Sequence, residues 1–322
     1  MENWFIPTEN SQLPIAVRVL VIAPHPDDEI FGCGGALALY RKQGAQIHVH
    51  VLTDGAGYAT ASERAAIYDL RQAETQAALK QLGVEPASFS GFPDRSLSGY
   101  PGLVQHVLEL IQQYQADVVF APSLWEIHPD HLAAGRAAWG AAMLMLQHGA
   151  DAPTLLFYEV GTPQRTNLLI DITDVWPEKL QAMHCYPSQQ QQQNYVRHIE
   201  ALNIYRTYTL PAFVSHAEAF SMVTPEQLAV LARTCGDPTQ REMSRWIENA
   251  LTAATAHVEA LQASQKEGLR LLLKAELEIE QLQQNLSQVC YEKEQLLAST
   301  SWWLTAPVRW LGRRLRSAKG AN

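Results

Sequence analysis

The segment Pro24-His25-Pro26-Asp27-Asp28-Glu29 places an imidazole and two adjacent carboxylates within four residues. Each of these groups can hold a divalent metal or move a proton. A second segment, Trp125-Glu126-Ile127-His128-Pro129-Asp130-His131, supplies two more histidines. Two histidines and one carboxylate around an open position suit zinc, which lowers the pKa of a bound water towards ~7 and so favours hydrolysis of an unactivated bond. A single loop histidine usually has a plainer role as a partly exposed hydrogen-bonding residue. Two His- and Asp-rich loops, each behind its own apolar strand, are much harder to explain that way.

Those loops need strands to aim them. Val19-Leu20-Val21-Ile22-Ala23 has the length and β-branching of a buried parallel strand. Further strands are expected at 18–23, 47–52, 88–91, 117–121, 155–159 and 168–171, with helices near 34–43, 62–82, 103–115 and 131–147. This alternation defines an α/β fold: a Rossmann-like, mostly parallel sheet with helices on both faces, followed by a long C-terminal helix or coiled coil. With strand order 3-2-1-4, strands one and four meet at the topological switch point, where such sheets bind ligands. The two motifs then face each other. A helix is expected from Val175 into the run Gln189 to Gln193, whose glutamines read as a solvated face.

The chain has 322 residues, 47% of them hydrophobic and 18% charged, enough for a full core and a further element. Its formal net charge of -9 argues against nucleic-acid binding. No apolar run reaches the roughly 20 residues that span a bilayer, and the first residues lack the build of a secretory signal, so the expected address is cytoplasmic. Cys33, Cys185, Cys235 and Cys290 are widely spaced and read as reduced thiols, Cys33 as a small buried residue.

The histidine and aspartate motifs together resemble the PIG-L/LmbE-like family of metal-dependent N-acetylglucosaminyl deacetylases. Gly34-Gly35, Thr53-Asp54-Gly55, Arg71-Gln72-Ala73-Glu74, Phe92-Pro93-Asp94, Ser188-Gln189 and Ala217-Glu218-Ala219-Phe220 extend the similarity across residues 18 to about 223. The resemblance implies zinc, or another divalent metal, on His25, Asp28 and His131. It implies Asp27 as general base, His128 as a stabiliser of the oxyanion and Asp130 as a residue orienting a histidine. Arg71 and Asp94 match positions that contact sugar hydroxyls in relatives. Some relatives carry a tyrosine two residues before the counterpart of His128, where this chain has Glu126. The implied reaction is hydrolysis of the N-acetyl group of an N-acetylglucosamine-type sugar. Two competing readings stay open: deacetylation of a low-molecular-weight thiol precursor, and a non-catalytic sugar-binding scaffold.

The domain expectation is a deacetylase domain at 1–235, a coiled coil at 236–298 and a basic aromatic tail at 299–322. From Ile247, apolar residues recur at alternating four- and three-residue steps over about seven heptads, interrupted by Gln265, Gly268 and Lys293. The coil would support a homo-oligomer. The tail combines Trp302, Trp303 and Trp310 with Arg309, Arg313, Arg314 and Arg316, a composition suited to the membrane interface. It also resembles the C-terminal ends of bacterial surface-polysaccharide synthesis proteins. Expected partners are therefore the cytoplasmic face of the inner membrane or a glycosyltransferase.

Overall fold

The computed structural model describes residues 11–57, 59–235 and 240–298, with the isolated positions 305, 307 and 309. Residues 236–239, where the expected coil begins, and nearly all of the 299–322 tail lie outside the described residues. The chain divides into two compact units, Met1–Trp246 and Ile247–Asn322.

The first unit is built on a seven-stranded sheet of order β3-β2-β1-β4-β5-β7-β6. Its strands are β1 (Arg18–Ala23), β2 (Gln46–Thr53), β3 (Ser88–Phe92), β4 (Val118–Pro122), β5 (Thr154–Tyr158), β6 (Leu168–Asp171) and β7 (Ala217–Val223). The first five pair in parallel. β7 runs antiparallel to both β5 and β6. That strand escapes sequence reading because nothing local marks it as an insertion between them.

Connections between the parallel strands are the helices α1 (Asp28–Lys42), α2 (Arg64–Leu82), α3 (Leu103–Tyr114) and α4 (Pro129–Gln147). Then follow α5 (Trp176–Met183), α6 (Pro187–Gln190), α7 (Tyr195–Tyr205) and α8 (Pro225–Cys235). α1, α2 and α5 pack together, as do α3, α4 and α8, and α3 and α4 both touch β1. Side chains alternate along β1, so Val19, Val21 and Ala23 join the core containing Ile30, Leu37 and Met183. Leu20 and Ile22 are equally buried and project to the other face.

α1 starts at Asp28, directly behind the motif, and not near 34 as the spacing predicts. Gly32 and Gly35 inside it allow close packing. A Cβ on Gly32 would sit 2.2 Å from the Tyr158 ring, and one on Gly35 would sit 2.6 Å from Ile172. At Cys33 the backbone leaves helical geometry, with φ -144°. The N–H groups of Gly35 and Ala36 donate to the Glu218 carboxylate at 2.7 and 2.8 Å. Buried Lys179 closes that network at 2.7 Å from Glu218. Cys33 itself is fully buried, and burial pushes its thiol up.

The helix expected from Val175 to Gln193 is broken between α5 and α6, with Tyr186 leading into Pro187. A proline disfavours helical geometry in the residue before it, and Tyr186 takes φ -109°, ψ 60°. The last helix, α9 (Gln240–Ala298), is continuous through Gly268. Within its described side chains, Leu272, Ile279, Leu282, Leu286 and Val289 of the heptad seam are all exposed.

Candidate metal and acid–base site

The site forms where β1 and β4 lie side by side with registers Val19↔Val118 and Val21↔Phe120. Behind β1, residues Pro24 to Asp27 turn the chain into α1. β2 holds this turn in place, since Thr53 donates from N and Oγ1 to the Pro24 carbonyl at 2.9 and 2.8 Å. Asp27 lies at φ 126°, ψ -30°, a strained backbone geometry for a residue with a side chain. Its carbonyl accepts from Ile30 and Phe31, while its N–H donates to Glu29 Oε2 at 3.0 Å.

Behind β4, His128 caps α4, its Nδ1 accepting from Asp130 N at 3.3 Å. Burial, then the neighbouring His25 and His131, lower the His128 pKa, so the ring is neutral near pH 7. With Nδ1 accepting, the proton of that neutral ring resides on Nε2 as a donor.

Three ligand atoms converge. His25 Nδ1 lies 3.2 Å from Asp28 Oδ2 and 3.1 Å from His131 Nε2, and His131 Nε2 lies 3.2 Å from Asp28 Oδ2. Tetrahedral zinc with bonds of about 2.0–2.1 Å spaces its ligand atoms about 3.3–3.4 Å apart. The donor set and its spacing therefore fit a divalent metal. His128 offers a nitrogen within 4.8 Å of those of His25 and His131. His25, Asp94 and Asp130 also group within that distance, but there the carboxylates surround the opposite ring nitrogen: Asp94 Oδ1 is 3.2 Å and Asp130 Oδ2 3.4 Å from His25 Nε2. They orient the imidazole and leave Nδ1 for the triangle.

Electrostatics match this packing of charge. Burial lowers the basicity of His25, but hydrogen bonds to Asp130, Asp28 and Asp94 outweigh it and hold the ring well above its ordinary value. His131 is lowered by burial and raised further by Asp28 and Glu126, to about 9. Burial raises Asp28, yet the His131 and His25 imidazoles hold it well below the usual carboxylate range. Asp27 lies next to the triangle but outside it. Burial pushes its carboxyl up to about 8 despite the Arg71 guanidinium, whose Nη2 donates to Oδ2 at 2.9 Å.

The residues expected to contact sugar are already engaged. Arg71 donates to the Pro26 carbonyl, to Asp27 and, from Nη1 at 2.8 Å, to the Gly55 carbonyl. Its Nε alone is buried without a partner among the described residues. Asp94 accepts from Gly57 N at 3.0 Å besides facing His25. Asp130 accepts from the backbone N–H groups of Arg95 and Leu97. Arg71 and Asp94 line, with the triangle and Asp27, a cavity of about 310 Å³, at the small end of small-molecule pockets; Asp130 is fully buried and is not part of its lining.

Two features escape sequence reading. Gln189 and Gln192, part of the run taken as a solvated face, line this cavity with Tyr195. Gln189 is buried, whereas Gln191, Gln192 and Gln193 are exposed, as expected of a solvated face. The other feature is Glu126, 3% exposed between Trp125 and Ile127, which are 53% and 83% exposed. Its Oε1 accepts from Val160, Gly161 and Thr162 N–H at 2.9, 3.0 and 3.2 Å. An exposed–buried–exposed triplet in a loop is too short a pattern to reveal that.

A mostly parallel sheet whose switch point gathers a His–Asp–His triangle beside a buried aspartate defines an α/β protein with a candidate metal site of the kind hydrolases use. Residues 20–142 match the PIG-L family, described as GlcNAc-PI de-N-acetylase, so the chain carries a PIG-L family domain. It is 27% identical to a probable N-acetyl-α-D-glucosaminyl L-malate deacetylase 2 of Bacillus anthracis, over 53% of this chain and 81% of that one. It is 26% identical to a 4-oxalmesaconate hydratase of Pseudomonas putida, over 53% and 73%. The fold is shared with the N,N'-diacetylchitobiose deacetylase of Pyrococcus horikoshii, at TM-score 0.57 and 23% identity, over 66% and 85%.

Proposed function

We propose that the protein is a zinc-dependent N-deacetylase that releases acetate from an N-acetylglucosamine-type sugar. The observation that carries this reading is the His25–Asp28–His131 triangle with Asp27 beside it and uncommitted to it. A divalent cation on that triangle would supply Lewis acidity and water activated near neutral pH. Asp27, raised to about 8 by burial, takes the proton of the attacking water and returns it to the departing amine. Arg71 holds the Asp27 carboxylate in place. The Nε2–H of His128 donates to the oxyanion as the acetamide carbonyl becomes tetrahedral. Gln189 and Gln192 give the cavity wall neutral amides that suit sugar hydroxyls.

The test is acetate release by the zinc-loaded full-length protein on a panel of free, nucleotide-linked and lipid-linked N-acetylglucosamine derivatives. Turnover of at least one, abolished by Asp27→Ala with metal retained, is expected. No acetate from any of them would sink the reading, and the Pseudomonas relative makes a hydratase assay the next step.

A role in surface glycan or glycolipid synthesis at the cytoplasmic membrane face belongs to the same proposal. It is supported by the composition of the basic aromatic tail and by the heptad seam, which would serve membrane or glycosyltransferase docking and self-association. Deleting residues 299–322 should release the protein from the membrane fraction; unchanged fractionation would exclude the tail as the anchor.

A further inference from the structure

Glu126 is buried, and its two carboxylate oxygens face different parts of the site. Oε1 gathers the backbone N–H groups of Val160, Gly161 and Thr162. Val160 and Gly161 line the cavity, so this oxygen fixes one of its walls. Oε2 points the other way, 3.6 Å from His131 Nδ1. Both of those atoms are buried without a hydrogen-bond partner among the described residues. The distance is slightly long for a hydrogen bond, yet each is the other's nearby complement, an acceptor facing a ring nitrogen that can donate.

We infer that Glu126 is a positioning residue that links the Val160–Thr162 wall to the metal ligand His131. With Oε2 accepting from Nδ1–H, the imidazole keeps its proton away from Nε2, the atom that completes the triangle with His25 and Asp28. A carboxylate behind a ligating histidine fixes its tautomer and raises its basicity towards the metal. Because the same carboxylate holds the wall through Oε1, displacing the wall displaces the group that orients His131. Gly161 shows how closely the two are geared: a Cβ there would lie 3.1 Å from Glu126 Oε2. The inference rests on the metal reading of the triangle and not on the sugar.

The test uses the full-length protein and zinc affinity measured by chelator competition, so it needs no substrate. In Glu126→Gln, the amide oxygen remains with the three N–H donors and the NH2 group faces His131 Nδ1. This favours the tautomer protonated on Nε2, and zinc affinity is expected to fall about 10- to 100-fold. Gly161→Ala, which touches no ligand of the triangle, is expected to weaken zinc binding several-fold through the displaced Oε2. Nitrogen-15 shifts of His131 in the zinc-loaded wild type should show Nδ1 protonated, a readout independent of whether either variant folds. Zinc affinity within twofold of wild type in folded Glu126→Gln, or an unprotonated Nδ1, would overturn the inference. Absence of tight zinc binding by the wild type would instead overturn the metal site itself.

Discussion

The loops behind β1 and β4 deliver the same kinds of groups to one crevice, but they are stabilised in different ways. The β1 loop is short, and most of what braces it comes to it: its own bonds run from Asp28, Ile30 and Phe31 back to His25 and Asp27, while Thr53 of β2 and Arg71 of α2 hold the Pro24 and Pro26 carbonyls. The strain at Asp27 is held by the helix that begins immediately after it. The β4 loop depends on buried acids that reach elsewhere: Glu126 to residues 160–162, Asp130 to 95 and 97. Chemistry written into adjacent residues can be positioned by a turn. Chemistry that must meet it from another strand needs side chains to tie distant loops together.

Ligand removal should break both halves of this comparison at once. His25→Ala and His131→Ala each leave two members of the triangle, and stoichiometric zinc should be lost from both on dialysis, read by metal analysis. Retention of zinc by either would remove that histidine from the ligand set.

Asp27→Asn separates chemistry from metal holding in the β1 loop. Its acetate release should fall about 10²- to 10⁴-fold, the usual contribution of a positioned general base, while bound zinc stays near one per chain. A parallel loss of metal would show that Asp27 is a ligand.

Protonation offers a test of intermediate size. Burial raises Asp27 to about 8 and Glu29 to about 7, and His131 is held at about 9 after Asp28 and Glu126 outweigh its burial. Each value exceeds that of the unfolded chain, so the metal-free fold binds more protons than the unfolded state between the two values. Its stability should then fall as pH climbs from about 5 to about 9. Zinc needs the imidazoles neutral, so the stabilisation it adds should grow over the same interval. Melting curves with and without zinc should diverge with rising pH; parallel curves would contradict the assigned groups.

The smallest effect is expected in the β4 loop without metal. Asp130→Asn weakens the charged acceptor for Arg95 and Leu97 N–H and should cost about 1–3 kcal/mol in denaturant unfolding. A change below a few tenths would mean that those backbone bonds are replaced by others.

Much of this was legible in the chain. β1 and β4 read as strands because β-branched apolar runs at buried positions have few other uses, and the motifs behind them carried their ligand types openly. The common 3-2-1-4 order that alternation with helices suggests is the one the first four strands adopt. β7 escapes because its run Ala217-Glu218-Ala219-Phe220 is poor in β-branched residues and carries a buried Glu218. α1 begins at Asp28, six residues before the expected start near 34, and Gly32 and Gly35 lie inside it where Tyr158, Ile172 and Glu218 leave no room for a side chain. The resemblance marks Arg71 as a sugar-contact position; its bonds to Asp27 and to the Pro26 and Gly55 carbonyls emerge only once α2 packs on the motif.

By itself the sequence determined the types of group available, their grouping into two loops and the strands that would carry them, since these depend on local spacing and hydrophobic pattern. Tertiary structure alone decided which nitrogen of His25 faces the triangle, that Arg71 is paired with Asp27, and that Glu126 spans from the cavity wall to His131. Those outcomes depend on angles and distances between segments far apart in the chain, such as His25 and His131, 106 residues from each other. Burial then gives each contact its force, because a carboxylate or imidazole removed from water must find its partner within the protein.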